Sequence, residues 1–338
     1  QVYAIRAMAH FRLVCTFAQT YKFTSDASHV GVPYITTSDI SSPYKRQTVK
    51  DNYDNIISDL DNAIQLLPAN ISDTRFMNRL AAKALLARVY LFKEDYTNAK
   101  SLALEVTNQV SLMPIDKGYP IEMFKYKPSN QTEILFQIAP INVTAYGWVS
   151  NFMGRYFQGS TLYYSATSDI ADILKERSTD IRKIWVDKVS DLWNVKKYPT
   201  GVATDVTPPI SIAANSYYNP LVRSSEMYLT VAEAAAKTDD ELTARIYLNK
   251  IRQRADPSIA DLIATGQDLI DSVYKERRKE LVFEGFRMFD LQRWKLGVHR
   301  VDALFPAIKD LPFPSDKAIA PIPLADVMLA GIEQNTGY

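Results

Sequence analysis

The run SSEMYLTVAEAAAKTDDELTARIYLNKIRQRA, residues 224–255, decides the fold. Val231, Ala232, Ala235, Ala244, Leu248 and Ile251 recur at helical spacing in two segments, with Thr238 to Glu241 as a short polar turn between them. Small residues at 232 and 244 let two antiparallel helices approach closely. The same offsets occur 145 residues earlier, 87 matching 232 and 99 matching 244. There Leu86, Ala87, Tyr90, Tyr96, Ala99, Ala103 and Val106 lie in a hairpin from Arg75 to about Gln109 that turns at Glu94, Asp95 and Tyr96. Two matched hairpins are the signature of tetratricopeptide-like helix pairs. A helix from Val2 to about Tyr21 and another from Asp51 to Leu67, capped by Thr48 or Asp51, are expected as a third pair. Their turn is replaced by a long loop, Lys22 to Thr48.

Composition agrees with helices. Gly is 11 of 338 residues, about half the usual share of roughly 7%, which disfavours sandwiches and nucleotide-binding turns. Lys plus Arg number 39 against 38 Asp plus Glu, a net charge of +1 that offers no field to attract nucleic acid. A single cysteine, Cys15, excludes an intrachain disulfide. The most hydrophobic stretch, Leu80 to Phe92, is interrupted by Lys83 and Arg88, and no apolar run reaches the roughly 18 residues a membrane helix needs. The chain opens inside an amphipathic pattern, without Met or a signal peptide, so an upstream segment is expected.

Between the hairpins helical periodicity fails. Residues 111–220 form an aromatic-rich, irregular insertion, with a short strand expected at EILFQIA and a helix from Ser168 to about Arg177. Residues 1–110 and 221–297 are helical, the latter ending in a long charged helix from Asp268 to about Gly297. Residues 298–338 hold five prolines, Pro306, Pro312, Pro314, Pro321 and Pro323, and are expected as an extended tail. The fold class is mainly α, and the whole chain, 1–338, reads as one domain.

Several segments in this order resemble the SusD/RagB family of outer-membrane nutrient-binding lipoproteins. They are RAMAHFRLV with GVPY, NYDNIISDLDNAIQLLP, RLAAKALLARVYL, SSEMYLTVAEAAAK, LNKIRQRA, ERRKELVFEGFRMFDLQRW, PIPLADV and the closing QNTGY. The resemblance spans the chain and is most specific in the ERR-EL-EG-R-DL-RW helix. Thr336 stands where the family usually has Pro. It implies helix pairs packed against a partner and an irregular face for an extracellular ligand. Members cap a SusC-like TonB-dependent transporter and hold an oligosaccharide, or in some branches a peptide, for import. They are surface-facing lipoproteins rather than enzymes and use no cofactor. Their lipid-modified cysteine lies in an N-terminal segment that this chain lacks, and Cys15, inside a helix, cannot be that anchor. The competing expectation is a tetratricopeptide scaffold whose groove binds a protein segment.

Sugar binding needs aromatic faces for the apolar C–H faces of pyranose rings, and polar side chains for hydroxyls. The insertion supplies two clusters: Tyr146, Trp148, Asn151, Tyr163 and Tyr164, then Trp193, Asn194, Asn215, Tyr217 and Tyr218. Packing of the insertion itself is the alternative use of these rings. The loop from Lys22 to Thr48, with Tyr34 and Tyr44, borders the same face or serves as a docking loop. Glu280 and Glu284, at i and i+4, have the spacing of an acid/base pair, but Arg277, Arg278, Arg287 and Arg293 favour an ion network there, packed by Trp294. His10, His29 and His299 share no metal-ligand spacing, and no GxGxxG, GxxxxGK[ST] or GxSxG occurs.

Overall fold

The structure is a computed structural model that describes residues 1–39, 44–69, 73–124, 133–138, 164–198 and 219–338. The first three helix pairs follow the expected order. They are α1 (Val2–Phe17) with α2 (Val49–Leu66), α3 (Arg79–Lys93) with α4 (Tyr96–Thr107), and α6 (Ser224–Ala236) with α7 (Glu241–Ala255); α5 (Ser168–Lys175) lies in the insertion. The two matched turns are built alike. Glu94 (φ 62°) and Asp239 (φ 58°) take left-handed backbone, and the next residue is an Asp that caps the second helix. Asp95 accepts from the Asn98 amide at 3.2 Å and Asp240 from the Thr243 amide at 3.3 Å. Ala87, Ala99, Ala232 and Ala244 are all fully buried, so the small residues sit where the helices cross. Tyr228 is buried, and Tyr90 and Tyr96 are half-buried against the core of the first two pairs.

The long loop closes the first pair. Asn52 of α2 accepts from the Val32 amide at 2.8 Å and donates to its carbonyl at 2.9 Å. A Cβ at Gly31 would stand 2.0 Å from the Asn52 carbonyl oxygen, so only glycine permits this approach. Tyr34 stacks on His10 and donates to Asp59, which is also held by Arg6 through two bonds of 2.6 Å. Tyr34 is therefore spent inside, and its loop is docked on α1 and α2.

The strand at EILFQIA exists as β1 (Ile134–Ile138) and pairs antiparallel with β4 (Asn219–Arg223) beside α3. The insertion also contains a hairpin of β2 (Val186–Val189) and β3 (Leu192–Val195). Its described part has a core of its own around Tyr119, Phe124, Trp185 and Tyr198. Trp185 and Tyr198 are completely buried, so these two rings pack the insertion itself. Each has a partner for its polar end, the Trp185 indole donating to the Pro120 carbonyl (3.0 Å) and the Tyr198 hydroxyl to that of Phe283 (2.7 Å).

The expected charged helix is instead two, α8 (Gly266–Glu280) and α9 (Arg287–Arg293), separated by a turn in which Phe283 (φ 64°) and Gly285 (φ 77°) are left-handed. Gly285 is one cause within the segment, and a second lies outside it. Lys197 donates to the carbonyls of Glu280 (2.8 Å) and Val282 (2.9 Å) and Tyr198 takes that of Phe283, so acceptors that a continuing helix would use are engaged by the insertion. The tail is also more ordered than its prolines suggest, with a short pairing of β5 (Val298–His299) and β6 (Asp310–Leu311) and a helix α10 (Leu324–Ala330). The closing QN has a structural use. Gln334 exchanges two hydrogen bonds with the Ile322 backbone, and Asn335 donates to the carbonyls of Phe17 (2.9 Å) and Ala320 (2.7 Å).

Every residue of α6 is buried, with α3, α4, α7 and α8 packed around it. Over-packing this helix is expected to be costly. Ala232→Leu should lower unfolding free energy by about 1–3 kcal/mol in urea melts, whereas Ala307→Leu, at an exposed site, should stay within about 0.5 kcal/mol of the parent.

Candidate functional site

The insertion is fastened to the helices by buried charge. Glu280 accepts from Arg223 (2.8 Å) and Arg254 (2.7 Å) on one oxygen, and from Arg182 (3.2 Å) and the Tyr119 hydroxyl (2.8 Å) on the other. Glu133, just before β1, binds Arg223 (2.7 Å), Arg254 (2.6 Å) and the Ser225 hydroxyl. Glu284 binds Lys197 (2.7 Å) and, through both oxygens, Arg223 (2.8 and 2.9 Å). Arg182 is also gripped by Asp180 at 3.0 and 2.8 Å. Arg182 also pairs with Glu276 (2.6 Å) and Asp180 with Lys279 (2.7 Å), so strand, hairpin and helix residues are joined at one place.

Burial opposes ionisation of Glu133, Glu280 and Glu284, yet the surrounding guanidiniums overcome it and hold all three carboxyls below their usual range. Desolvation pulls Lys197 down to about 8 against the attraction of Glu284. A general acid needs a raised pKa and access to substrate, and Glu280 and Glu284 have neither. The ion-network reading of this pair holds, with different partners from those adjacent in sequence. Arg277 pairs with Asp290 (2.9 Å), Arg278 with Asp169, and Arg293 with Glu233 and Asp290. Trp294 packs this second network and not the Glu280 cluster, donating to Glu233 at 2.8 Å and stacking on Tyr274. Arg223, Arg254, Arg182, Lys197 and Glu133 carry no spacing relation to Glu280, and only the fold brings them there.

Of the ring candidates, Tyr164 and Trp193 lie within the described residues; Tyr146, Trp148, Asn151, Tyr163, Asn215, Tyr217 and Tyr218 lie outside them. Trp193 is half-buried on β3, and Lys175 of α5 and Lys188 of β2 place their ammonium groups 5.4 and 5.8 Å from its ring centre. The Ala166 amide donates to the Trp193 carbonyl at 2.8 Å, which ties the segment carrying Tyr164 to this hairpin. Tyr164 is 60% exposed. Asn194 does not join them: strand alternation sends it to the opposite face, where it is buried. The hairpin is rigidly based, since Trp185 and Lys197 at its two ends belong to the buried core and the ion network. This is an aromatic surface with two ammonium groups over its indole, which could donate to hydroxyls of a ring packed beside them.

The geometry defines a helical-repeat protein with an aromatic face on its insertion. The SusD family model matches residues 150–338, more than half of the chain, which therefore belongs to the SusD family. A second model, described as starch-binding associating with outer membrane, matches residues 1–91. Among solved structures, a Bacteroides vulgatus protein named as a sugar binder is 31% identical, with a TM-score of 0.86 over 100% of this chain and 76% of its own. A SusD superfamily protein from Bacteroides thetaiotaomicron is 25% identical, with a TM-score of 0.85 over 98% of this chain and 76% of its own. SusD-like protein P2 of Formosa agariphila is 25% identical over 88% of this chain, and the chain spans 66% of the length of the curated relatives it matches. No helix among the described residues is long and apolar enough to cross a membrane.

Removing one carboxylate from the buried cluster leaves cations unpaired. Glu280→Gln is expected to cost about 3–5 kcal/mol in chemical denaturation. The three depressed carboxyl pKa values lie below the ordinary value of 4.5, so their stabilisation is fully present above about pH 4.5 and is lost as pH falls through the lower folded-state values. Unfolding free energy should therefore fall below pH 4.5, and Glu280→Gln should flatten that slope.

Proposed function

We propose that this protein is a non-catalytic, surface-facing binder of oligosaccharide or polysaccharide that presents its ligand to a SusC-like TonB-dependent outer-membrane transporter for import. The observation that carries the reading is the Trp193 surface: an indole on a hairpin, with the Lys175 and Lys188 ammonium groups over its ring and exposed Tyr164 on the tethered neighbouring segment. Such a surface suits a pyranose, whose C–H face is apolar and whose rim is all hydroxyl. Support comes also from the family and from the sugar-binding name of the Bacteroides vulgatus structure. Rings outside the described residues, Trp148 and Tyr218 among them, are proposed to extend the same surface.

A peptide-binding repeat groove is the less favoured reading, because the helix that would line such a groove, α6, is covered along its whole length. A near-neutral chain is also suited to an uncharged ligand, which needs no field for capture.

Isothermal titration against a panel of neutral polysaccharides and of peptides tests this. A glycan should bind saturably, and Tyr164→Ala, at an exposed site, should weaken it several-fold at unchanged melting temperature. Trp193→Ala should weaken it about tenfold or more, equivalent to about 1.4 kcal/mol. Silence across glycans with an intact fold, or binding indifferent to both substitutions, sinks the proposal.

A further inference from the structure

A cleft of about 720 Å³ opens between α1, the start of α5 and the turn joining α8 to α9. Its volume suits a ligand of one or two rings. Four arginines line it: Arg12, Arg277, Arg278 and Arg287. The lining includes one carboxylate, Asp290, which is shared with Arg293 outside the cleft. A second acid, Asp169, is taken by Arg278. The cations are thus in excess.

Two of the four have unused donors. Arg277 is completely buried and spends its Nε on Asp290 at 2.9 Å, but its two terminal nitrogens have no hydrogen-bond partner. Buried guanidinium nitrogens are rarely left so, and an orphan of this kind marks a place where a partner is missing. Arg287, exposed at the start of α9, makes no hydrogen bond or ion pair among the described residues. Arg12 reaches the cleft from α1, 5.1 Å over the Phe289 ring, and makes one long contact of 3.5 Å to the Gly285 carbonyl. The turn that spaces these groups holds Phe283 at φ 64°, a conformation that bulky residues avoid and that collects at ligand sites. Its phenyl ring lines the cleft with those of Phe286 and Phe289.

We propose that this cleft binds a carboxylate or sulfate group carried on a body of about one sugar ring, the anion answering the unpaired donors of Arg277 and Arg287 and the body lying along the phenylalanine wall. Planar guanidinium forks match oxyanions two bonds at a time, and the aromatic wall excludes water from them. The lining of the cleft shares no residue with the Trp193 surface, and the site does not depend on the glycan reading.

Isothermal titration at low ionic strength with glucuronate, inorganic sulfate and glucose tests the proposal. Glucuronate should saturate one site, sulfate should compete with it, and glucose should not. The double variant Arg12→Gln/Arg287→Gln, at two exposed positions, should lose about tenfold or more in glucuronate affinity at unchanged melting temperature. Trp193→Ala should leave glucuronate binding unaltered. The proposal is overturned if glucuronate fails to saturate the parent chain, if glucose competes as well as sulfate, if the double variant binds as tightly as the parent, or if Trp193→Ala removes the binding.

Discussion

The carboxylate of Glu280 faces three guanidiniums, those of Arg182, Arg223 and Arg254, at full burial. Each comes from a different part of the chain: a 3-10 turn of the insertion, the end of β4, and α7. Placing so much charge out of water is expensive, and it is tolerable only because each carboxylate accepts several hydrogen bonds and each cation is shared. The arrangement is all or nothing in a way that apolar packing is not. A core of alanines and leucines tolerates small shifts, whereas a displaced guanidinium leaves a bare charge behind. The position of the insertion on the helices is thereby specified by direction as well as by area.

That cluster also sets the path of the chain beside it. Lys197 and Arg223 both take the Glu280 backbone carbonyl, at the last residue of α8. The helix ends there, the chain turns through Phe283 and Gly285, and α9 departs in a new direction. Arg277 and Arg287 lie on either side of this break, and the cleft of arginines exists because the break does. A network that fastens the insertion thus also shapes a second surface on the helical side.

The helical pairs were legible because their determinants are local. Ala87 and Ala99, and Ala232 and Ala244, state in sequence how near two helices come, and Asp95 and Asp240 state where the second begins. The broken helix was only partly legible: Gly285 is a local break signal within residues 276–294, but the groups that take the carbonyls there, Lys197 and Tyr198, lie some eighty residues earlier. The interior placing of Trp185 and Tyr198 was hidden for the same reason: a ring's burial depends on who supplies the acceptor for its polar atom. Of the proposed aromatic site, the residue types were visible and their grouping in part. Strand alternation separates Asn194 from Trp193, while a backbone hydrogen bond from Ala166 brings the Tyr164 segment in.

The pairing of Asn335 with the Phe17 carbonyl bears on synthesis. On the ribosome that carbonyl can accept from Arg46, 29 positions on, at 3.2 Å, but its second donor, Asn335, is added only 318 positions later. The helix pairs are local enough to form as they emerge, but this fastening, like the Gln19 to Ser315 bond beside it, is formed among the last. The end of α1 is thus first held by its own loop through Arg46, and the tail then closes over it as a second latch.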